Sequence, residues 1–346
     1  MLKPILTEEQ LAQISFWLKN CSHFVLCAHI SPDGDAIGSC LGLAGFLRGL
    51  GKEVTVVMPN HFPEFLHWMK GTDEILLADR DTEQVEQAFQ EAEVVCCLDF
   101  NDLGRIEELG EIARKSHADF WLIDHHLDPG DFCKVTVSYP LMSSTCELVF
   151  RIIYQLGGFG CMTKEAAEAI YCGMCTDTGG FTYNSNNSEI FLIISLLLQK
   201  GIDKDLIYRK IYNNYSVDRV HLMGFVLYEK LQVLEDFHAS FFTLERKELK
   251  HFHFTKGDAE GLVNIPLTIK GMKLSISLRE DTEKNRILVS LRSVDDFPCN
   301  KMAEEFFNGG GHKNAAGGRL DCDMEEAISI TKKAIYTYEH LLVDKK

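Results

Sequence analysis

The 346-residue chain lacks any long apolar run, and it also lacks an excess of positive charge. No window approaches ~18 consecutive apolar residues and the N-terminus has no continuous apolar core, so neither a membrane span nor a signal peptide is predicted. With 35 Lys and Arg against 51 Asp and Glu, the net charge of −16 opposes non-specific binding to duplex nucleic acid or to an anionic membrane. We therefore expect a cytoplasmic protein that binds neither membranes nor duplex nucleic acid stably.

Proline is also scarce, with 8 residues, and no Pro-rich or Ser-rich linker interrupts the chain. Most of the twelve cysteines lie within apolar runs, where thiols pack as small core residues, so a disulfide framework is the weaker interpretation. The Cys172-x-x-Cys175 spacing occurs in redox centres, but both residues lie in or beside an apolar helical stretch. This position favours core packing.

Short apolar runs alternate with helical stretches in the N-terminal part of the chain. The runs cover residues 24–27, 54–57, 94–98 and 120–123. Strands interleaved with helices predict a parallel sheet that helices cover on both faces. The fold class predicted is therefore α/β, with a parallel doubly wound sheet in a large N-terminal domain and a smaller α/β C-terminal domain with a mixed sheet.

The change between the two domains is predicted between residues 205 and 235. Beyond this segment, apolar and polar residues alternate as they do in strands with one solvent-exposed face. We therefore predict a first domain over 1–205, a helical connector over 206–235 and a second domain over 236–346.

Three of the predicted strands end in side chains that bind metal ions. The first is followed by His29, Asp33 and Asp35, the third by Asp99, and the fourth by Asp124, His125 and His126. The carboxyl ends of parallel strands lie along one edge of an open sheet, so these side chains are expected to converge there. Asp177, after a helical stretch, is a further candidate.

Four converging carboxylates would each disfavour ionisation of the others, and two divalent cations would cancel their charge. Carboxylate oxygens combined with imidazole nitrogens, without thiolates, favour Mn²⁺, with Mg²⁺ as the alternative. A two-metal centre with ions ~3.5–4 Å apart suits the hydrolysis of phosphoesters. Taken alone, Asp33-Gly34-Asp35 is more typical of a solvated turn than of a metal site, and adjacent histidines such as His125-His126 are often only polar surface residues. Their occurrence together at three strand ends favours the metal centre.

The ordered set His29-x-x-x-Asp33-x-Asp35, Asp99, Asp124-His125-His126 and Asp177 resembles the DHH phosphoesterase family, which is named for its Asp-His-His triplet. The resemblance extends from about residue 20 to about residue 320. It implies one Mn²⁺ held by His29, Asp33 and Asp99, and a second held by Asp35, Asp99, His125 and Asp177, with Asp99 bridging the two. It also implies that Asp124 fixes the orientation of a histidine, and that His126 faces the phosphate as a catalytic residue.

Near the C-terminus, Gly309-Gly310-Gly311-His312 is similar to the glycine-histidine signature of the family's associated C-terminal domain. Together with Arg292, it resembles the branch that degrades very short oligoribonucleotides (nanoRNA) and dephosphorylates 3′-phosphoadenosine-5′-phosphate. The resemblance implies that Arg292 and His312 bind the terminal phosphate of the substrate and that the glycine amides bind its nucleotide end. The glycines alone are equally typical of a tight turn between a helix and a strand.

The sequence does not decide between these substrates and two other classes. A linear or cyclic diadenylate is one alternative, and inorganic polyphosphate or pyrophosphate is another. Polyphosphate predicts more Lys and Arg facing the metals, whereas a nucleotide predicts an aromatic or apolar surface for its base. The expected partners are short single-stranded RNA and nucleotides, and the oligomeric state is open, with a homodimer as one alternative.

Overall fold

A computed structural model describes residues 2–255 and 257–343. It divides into two compact units, Met1–Asn214 and Tyr215–Lys346. The domain bounds predicted from the sequence, at 205 and 235, stay predictions. None of the helices in the described ranges has both the length and the apolar character that a membrane span requires.

The first unit contains a parallel sheet in the order β3-β2-β1-β4-β5-β6. Its strands are β1 (His23–Cys27), β2 (Glu53–Met58), β3 (Leu76–Leu77), β4 (Val94–Leu98), β5 (Asp119–Asp124) and β6 (Val135–Ser138). Its helices are α1 (Glu8–Asn20), α2 (Gly34–Gly49), α3 (Thr82–Glu91), α4 (Glu108–Lys115), α5 (Thr145–Gln155), α6 (Lys164–Asp177), α7 (Ser188–Gln199) and α8 (Lys204–Tyr212). The four apolar runs of the sequence form β1, β2, β4 and β5.

Both faces of this sheet are buried, as expected of a doubly wound fold. In β1, Phe24 and Leu26 pack into the core on one face, while Val25 and Cys27 pack into the core on the other. Successive side chains of a strand point to opposite faces, so a strand buried on both sides reads as a continuous apolar run. The predicted α/β class and parallel sheet are confirmed.

Helices α2 and α6 pack unusually closely, through glycines spaced along α2. A Cβ added at Gly38 would lie 2.5 Å from the carbonyl oxygen of Ala169, and one at Gly34 would overlap the side chain of Thr176. The two backbones can approach this closely only because these positions carry no side chain. The packing brings the N-terminus of α2 beside the C-terminus of α6.

The second unit contains a mixed sheet in the order β11-β12-β10-β9-β8-β7. Its strands are β7 (Gln232–Leu234), β8 (Ala239–Leu244), β9 (Leu274–Glu280), β10 (Ile287–Ser293), β11 (Gly310–His312) and β12 (Ala315–Leu320). Its helices are α9 (Val217–Phe225), α10 (Arg246–His251), α11 (Cys299–Phe306), α12 (Met324–Thr337) and α13 (Glu339–Leu342). Strands β8 and β9 are parallel and the other neighbouring strands of this sheet pair antiparallel, which confirms the mixed sheet.

All twelve cysteines are free thiols. Cys172 and Cys175 are fully buried in the core of the first unit. Burial raises the pKa of Cys175 to about 11 and that of Cys172 as well, which keeps both protonated at neutral pH. Their predicted packing role is confirmed.

Candidate metal centre

The predicted side chains lie close together in the structure. They lie at the carboxyl ends of β1, β4 and β5, which are neighbours in the sheet, and at the C-terminus of α6. Three groups have ligand atoms within 4.8 Å of one another: His29 with Asp33 and Asp99; Asp35 with His125 and Asp177; and Asp99 with His125 and His126. Every residue predicted from the sequence as a metal ligand therefore lies in one cluster, and Asp99 belongs to two of the three groups.

Asp99 occupies the centre of the cluster. It follows β4 directly and takes a left-handed backbone conformation, with φ of 64°. Its Oδ2 lies 3.4 Å from Nε2 of His29, and its Oδ1 lies 3.5 Å from Nε2 of His125. One carboxylate therefore faces a different histidine with each of its oxygens.

The histidines present their Nε2 atoms to the carboxylates because backbone carbonyls engage the other ring nitrogens. Nδ1 of His29 lies 2.8 Å from the carbonyl oxygen of Ile30, and Nδ1 of His125 lies 3.3 Å from that of Met142. A carbonyl only accepts, so the Nδ1–H donates, and the neutral form of each ring carries its lone pair on Nε2. That tautomer is the one a metal ligand needs.

The N-terminus of α5 holds the buried carboxylates in place. The amides of Thr145 and Cys146 donate to the two oxygens of Asp35, at 2.6 and 2.9 Å, and the hydroxyl of Thr145 donates to Oδ1 of Asp99 at 3.0 Å. Ser144 caps the helix by accepting from the amide of Glu147. These contacts were not predicted from the sequence, although Ser144-x-x-Glu147 is a capping-box pattern that indicates a helix start.

A buried ion pair supports the same segment. The Arg151 guanidinium donates to Oε1 of Glu147 at 2.7 and 2.9 Å and to Glu189 at 2.7 Å. The other oxygen of Glu147 accepts from the amide and hydroxyl of Ser143, at 2.9 and 2.6 Å. These charge-assisted hydrogen bonds fix the loop from Met142 to Thr145. At one end of this loop Met142 contacts His125, and at the other end Thr145 contacts Asp35.

Asp124 and His126 form a separate pair beside Asp99. Oδ1 of Asp124 lies 2.7 Å from Nδ1 of His126, and the Asp124 side chain is fully buried. Oδ2 of Asp124 is a buried oxygen without a hydrogen-bond partner in the structure. Nδ1 of His126 also lies 3.8 Å from Asp99, so this pair borders the cluster.

The electrostatics of the cluster fit divalent cations. Burial, together with the charges of Asp99 and Asp177, raises the pKa of Asp35 well above its usual range. Burial and the charges of Asp33 and Asp99 likewise raise the pKa of Asp177 well above its usual range. Burial alone would also raise the pKa of Asp99, but its hydrogen bond and ion pair with His29 lower it. The cluster therefore has more carboxylates than it can ionise without added positive charge, and its oxygen and imidazole donors are those that Mn²⁺ and Mg²⁺ accept.

The predicted substrate-binding residues of the second unit lie on its sheet. Arg292 lies in β10, where its Nη1 donates to the carbonyl oxygen of Leu291 at 2.9 Å. Gly310, Gly311 and His312 form the edge strand β11, which pairs with β12. The alternative of a tight turn is therefore wrong for Gly310 and Gly311. Gly309, just before β11, approaches the backbone of Gly317 so closely that a Cβ would overlap it.

The chain matches two protein families and several known proteins. Residues 23–174 match the DHH family, N-terminal domain, and residues 236–337 match the DHHA1 domain. The chain is 52% identical to an exopolyphosphatase-related protein from Bacteroides fragilis, whose crystal structure aligns over 99% of both chains with a TM-score of 0.96. It is 28% identical over 300 residues to the bifunctional oligoribonuclease and PAP phosphatase NrnA of Bacillus subtilis, covering 86% of this chain and 88% of that protein.

A more distant likeness concerns the fold alone. The structure of RecJ in complex with Mn²⁺ from Thermus thermophilus is 12% identical, with a TM-score of 0.51 over 98% of this chain and 56% of RecJ.

Proposed function

The chain belongs to the DHH family and carries a DHHA1 domain, and on this basis we propose that it is a metal-dependent hydrolase of phosphoesters. Its substrates in this proposal are short single-stranded oligoribonucleotides and 3′-phosphoadenosine-5′-phosphate. The observation that carries the proposal is the position of Asp99, whose two oxygens face His29 and His125. The activity named for the Bacillus subtilis relative supports the choice of substrates.

In this proposal the cluster holds two Mn²⁺ ions, with Mg²⁺ as the alternative. The ligands are His29, Asp33 and Asp99 for one ion, and Asp35, Asp99, His125 and Asp177 for the other. The ions would lower the pKa of water to give a nucleophile and would neutralise charge on the phosphoryl oxygens. The amides of Thr145 and Cys146 fix the Asp35 carboxylate, so that this ligand needs little reorganisation when an ion binds.

We assign His126 to the substrate. Its Nδ1 donates to Asp124, and this hydrogen bond orients the ring. Nε2 of His126 then faces the reacting phosphate, where its proton stabilises charge on a phosphoryl oxygen or passes to the leaving oxygen.

We assign Arg292 and His312 to the terminal phosphate of the substrate, because a guanidinium can donate to two phosphate oxygens at once. The amides of Gly310 and Gly311 are assigned to the nucleotide end; the predicted assignment of the Gly309 amide is not kept, because this amide donates to the carbonyl oxygen of Ala303 at 3.1 Å. Gly310 and Gly311 lie in β11, the edge strand of the sheet, which pairs with β12.

Hydrolysis of inorganic polyphosphate is the second candidate, because the relative at 52% identity is described as exopolyphosphatase-related. A polyphosphate site needs many cationic side chains. The charges that act most strongly on Asp35, Asp99 and Asp177 come from the carboxylates and histidines of the cluster, and no Lys or Arg of the described residues is among them. We therefore rank polyphosphate second.

A substrate panel tests the proposal. The metal-free protein is supplied with Mn²⁺ or Mg²⁺ and incubated with a five-nucleotide RNA, 3′-phosphoadenosine-5′-phosphate, a linear diadenylate, pyrophosphate and polyphosphate. We expect turnover of the RNA and the bisphosphate that depends on the metal and is lost with a chelator. Fastest turnover of polyphosphate or pyrophosphate would replace the nucleotide assignment, and metal-independent turnover would contradict the metal centre.

A further inference from the structure

Two exposed tyrosines flank the turn that follows Asp177. Tyr183 is 52% exposed and Tyr208, in α8, is 45% exposed, whereas the largest aromatic side chains of this unit are buried. Exposure alone does not distinguish these rings, since Phe16 and Phe191 of the same unit are 56% and 55% exposed. The distinguishing feature of the two tyrosines is their position against the turn that follows Asp177.

The turn is built so that both rings can lie against its backbone. Gly179 and Gly180 have φ of 55° and 70°, and their amides donate to the carbonyl oxygens of Thr176 and Cys175 at 3.2 and 2.8 Å. A Cβ at Gly179 would overlap the Tyr183 ring, and one at Gly180 would lie 3.3 Å from Tyr208. Two consecutive glycines therefore allow both the backbone conformation and the close approach of the rings.

Further contacts keep these rings in place. Tyr208 packs against Tyr212, with ring centroids 4.8 Å apart, and the Tyr212 hydroxyl donates to the carbonyl oxygen of Cys175 at 2.9 Å. The amide of Tyr183 donates to the carbonyl oxygen of Thr178 at 3.2 Å. The rings are thus anchored to the end of α6, the helix that carries Asp177.

We propose that Tyr183 and Tyr208 form a stacking surface for a base of the bound nucleotide. This inference rests on the proposed function. It concerns the base of the substrate, which the cluster of carboxylates and histidines does not bind. Flat aromatic faces attract the π-face of any base, so the surface favours nucleotides over polyphosphate without selecting among the four bases. Both rings lie against Gly179 or Gly180, the second and third residues after Asp177, which places the surface next to the end of α6 that carries this carboxylate.

The test compares Tyr183→Ala and Tyr208→Ala with Tyr183→Phe and Tyr208→Phe. We expect the alanine variants to raise KM for an RNA dinucleotide roughly ten-fold, since the loss of one aromatic ring that stacks on a base weakens binding by about that factor. The phenylalanine variants keep the ring and should restore the wild-type KM. Phe191→Ala, on α7 and 55% exposed in the wild type, is the matched control for loss of an exposed ring.

Binding measurements separate this inference from the proposed function. The affinity of the Mn²⁺-free protein for the dinucleotide and for its abasic analogue is measured by calorimetry for every variant. Weaker binding of the dinucleotide alone by the alanine variants supports the stacking surface, even if the wild type hydrolyses neither compound. Equal effects on the dinucleotide and the abasic analogue, or no effect of the alanine substitutions, would overturn it.

Discussion

Asp99 combines an unfavourable backbone conformation with a central position in the cluster. A left-handed conformation costs most L-residues about 1–2 kcal/mol, and Asp and Asn tolerate it better than others. The amide of Asp99 donates to the carbonyl oxygen of Ile123 at 3.1 Å, which fixes the turn after β4. Strained residues of this kind concentrate at functional sites, where the surrounding structure holds them.

Replacing Asp99 should therefore abolish activity without unfolding the protein. We expect Asp99→Ala to reduce turnover of the five-nucleotide RNA more than ten-fold in saturating Mn²⁺, which corresponds to ~1.4 kcal/mol of barrier. Asp99→Asn is the matched variant, because it tolerates the same backbone conformation but lacks the charge. Circular dichroism and the Tm check the fold. If either folded variant retains more than about a tenth of wild-type turnover, Asp99 does not bridge two ions.

The titration of His29 gives a pH prediction for the metal-free protein. Burial alone would lower the pKa of His29, but its hydrogen bond and ion pair with Asp99 raise it from 6.5 to about 9. Protonated His29 therefore stabilises the folded state below about pH 6.5, and this contribution disappears as the pH rises through about 9. The raised pKa values of Asp35 and Asp177 act in the same direction.

We accordingly expect the Tm of the metal-free protein to fall between pH 6.5 and pH 9.5. Added Mn²⁺ should remove most of that fall, because the ions replace the proton on His29. His29→Gln, which cannot titrate, should show a shallower decline. A Tm of the metal-free wild type that is constant or rises over this range would contradict the assigned pairing of His29 with Asp99.

At the scale of elements, the contact between α2 and α6 determines how far Asp35 lies from Asp177. Gly38→Ala places a Cβ 2.5 Å from the carbonyl oxygen of Ala169, a backbone atom that cannot move alone. We expect a loss of stability of about 1–3 kcal/mol from overpacking and weaker Mn²⁺ binding, because the helices must separate. The measurements are denaturant unfolding and a Mn²⁺ titration.

Gly49→Ala is the control for helix propensity. It lies at the end of α2, where an added Cβ would be 3.8 Å from the nearest atom, the carbonyl oxygen of Cys161. This substitution should leave stability and Mn²⁺ binding close to wild type. Similar losses in the two variants would mean that the close approach at Gly38 is unimportant for the cluster.

The sequence was sufficient to predict the strand ends that form the cluster. Strands β1, β4 and β5 are apolar runs that stop at His or Asp residues, and strand ends in a parallel sheet meet at one edge. The contribution of α5 was missed because the amides of Thr145 and Cys146 and the carbonyl of Met142 are backbone groups. Every residue has them, so no residue type reveals them.

Shorter elements were also missed. Strands β3 and β11 have two and three residues, too few to show the alternation of a strand. In the segment before β12, the glycines indicated a turn, whereas the structure uses them for close approach of neighbouring backbones. The positions of Tyr183 and Tyr208 depend on how α8 packs near the end of α6, which local sequence does not contain.

At the scale of the whole molecule, the proposed function assigns the reaction to the first unit and the terminal phosphate to the second. Residues 284–319 include six basic and four acidic side chains in a chain with a net charge of −16. A local excess of positive charge in an acidic protein favours an anionic group there without attracting long nucleic acids. Short substrates with a terminal phosphate fit this distribution.

Alanine at Arg292 or His312 should therefore impair substrate capture and leave the reaction chemistry intact. We expect a severe loss of kcat/KM on the five-nucleotide RNA and nearly wild-type turnover of a small activated phosphodiester. Asp99→Ala should fail on both substrates. Equal losses on the large and the small substrate would show that Arg292 and His312 act in the chemical step or in holding the structure together.

The number of cations bound per chain tests the two-metal centre most directly. Metal-free protein is titrated with Mn²⁺ by calorimetry, next to Asp99→Asn and to Gly49→Ala as the folded control. We predict two Mn²⁺ ions per chain for the wild type and for Gly49→Ala, and the loss of at least one of them in Asp99→Asn. A wild-type chain that binds one ion or none, or an Asp99→Asn chain that still binds two with wild-type affinity, would contradict a centre in which Asp99 joins two cations.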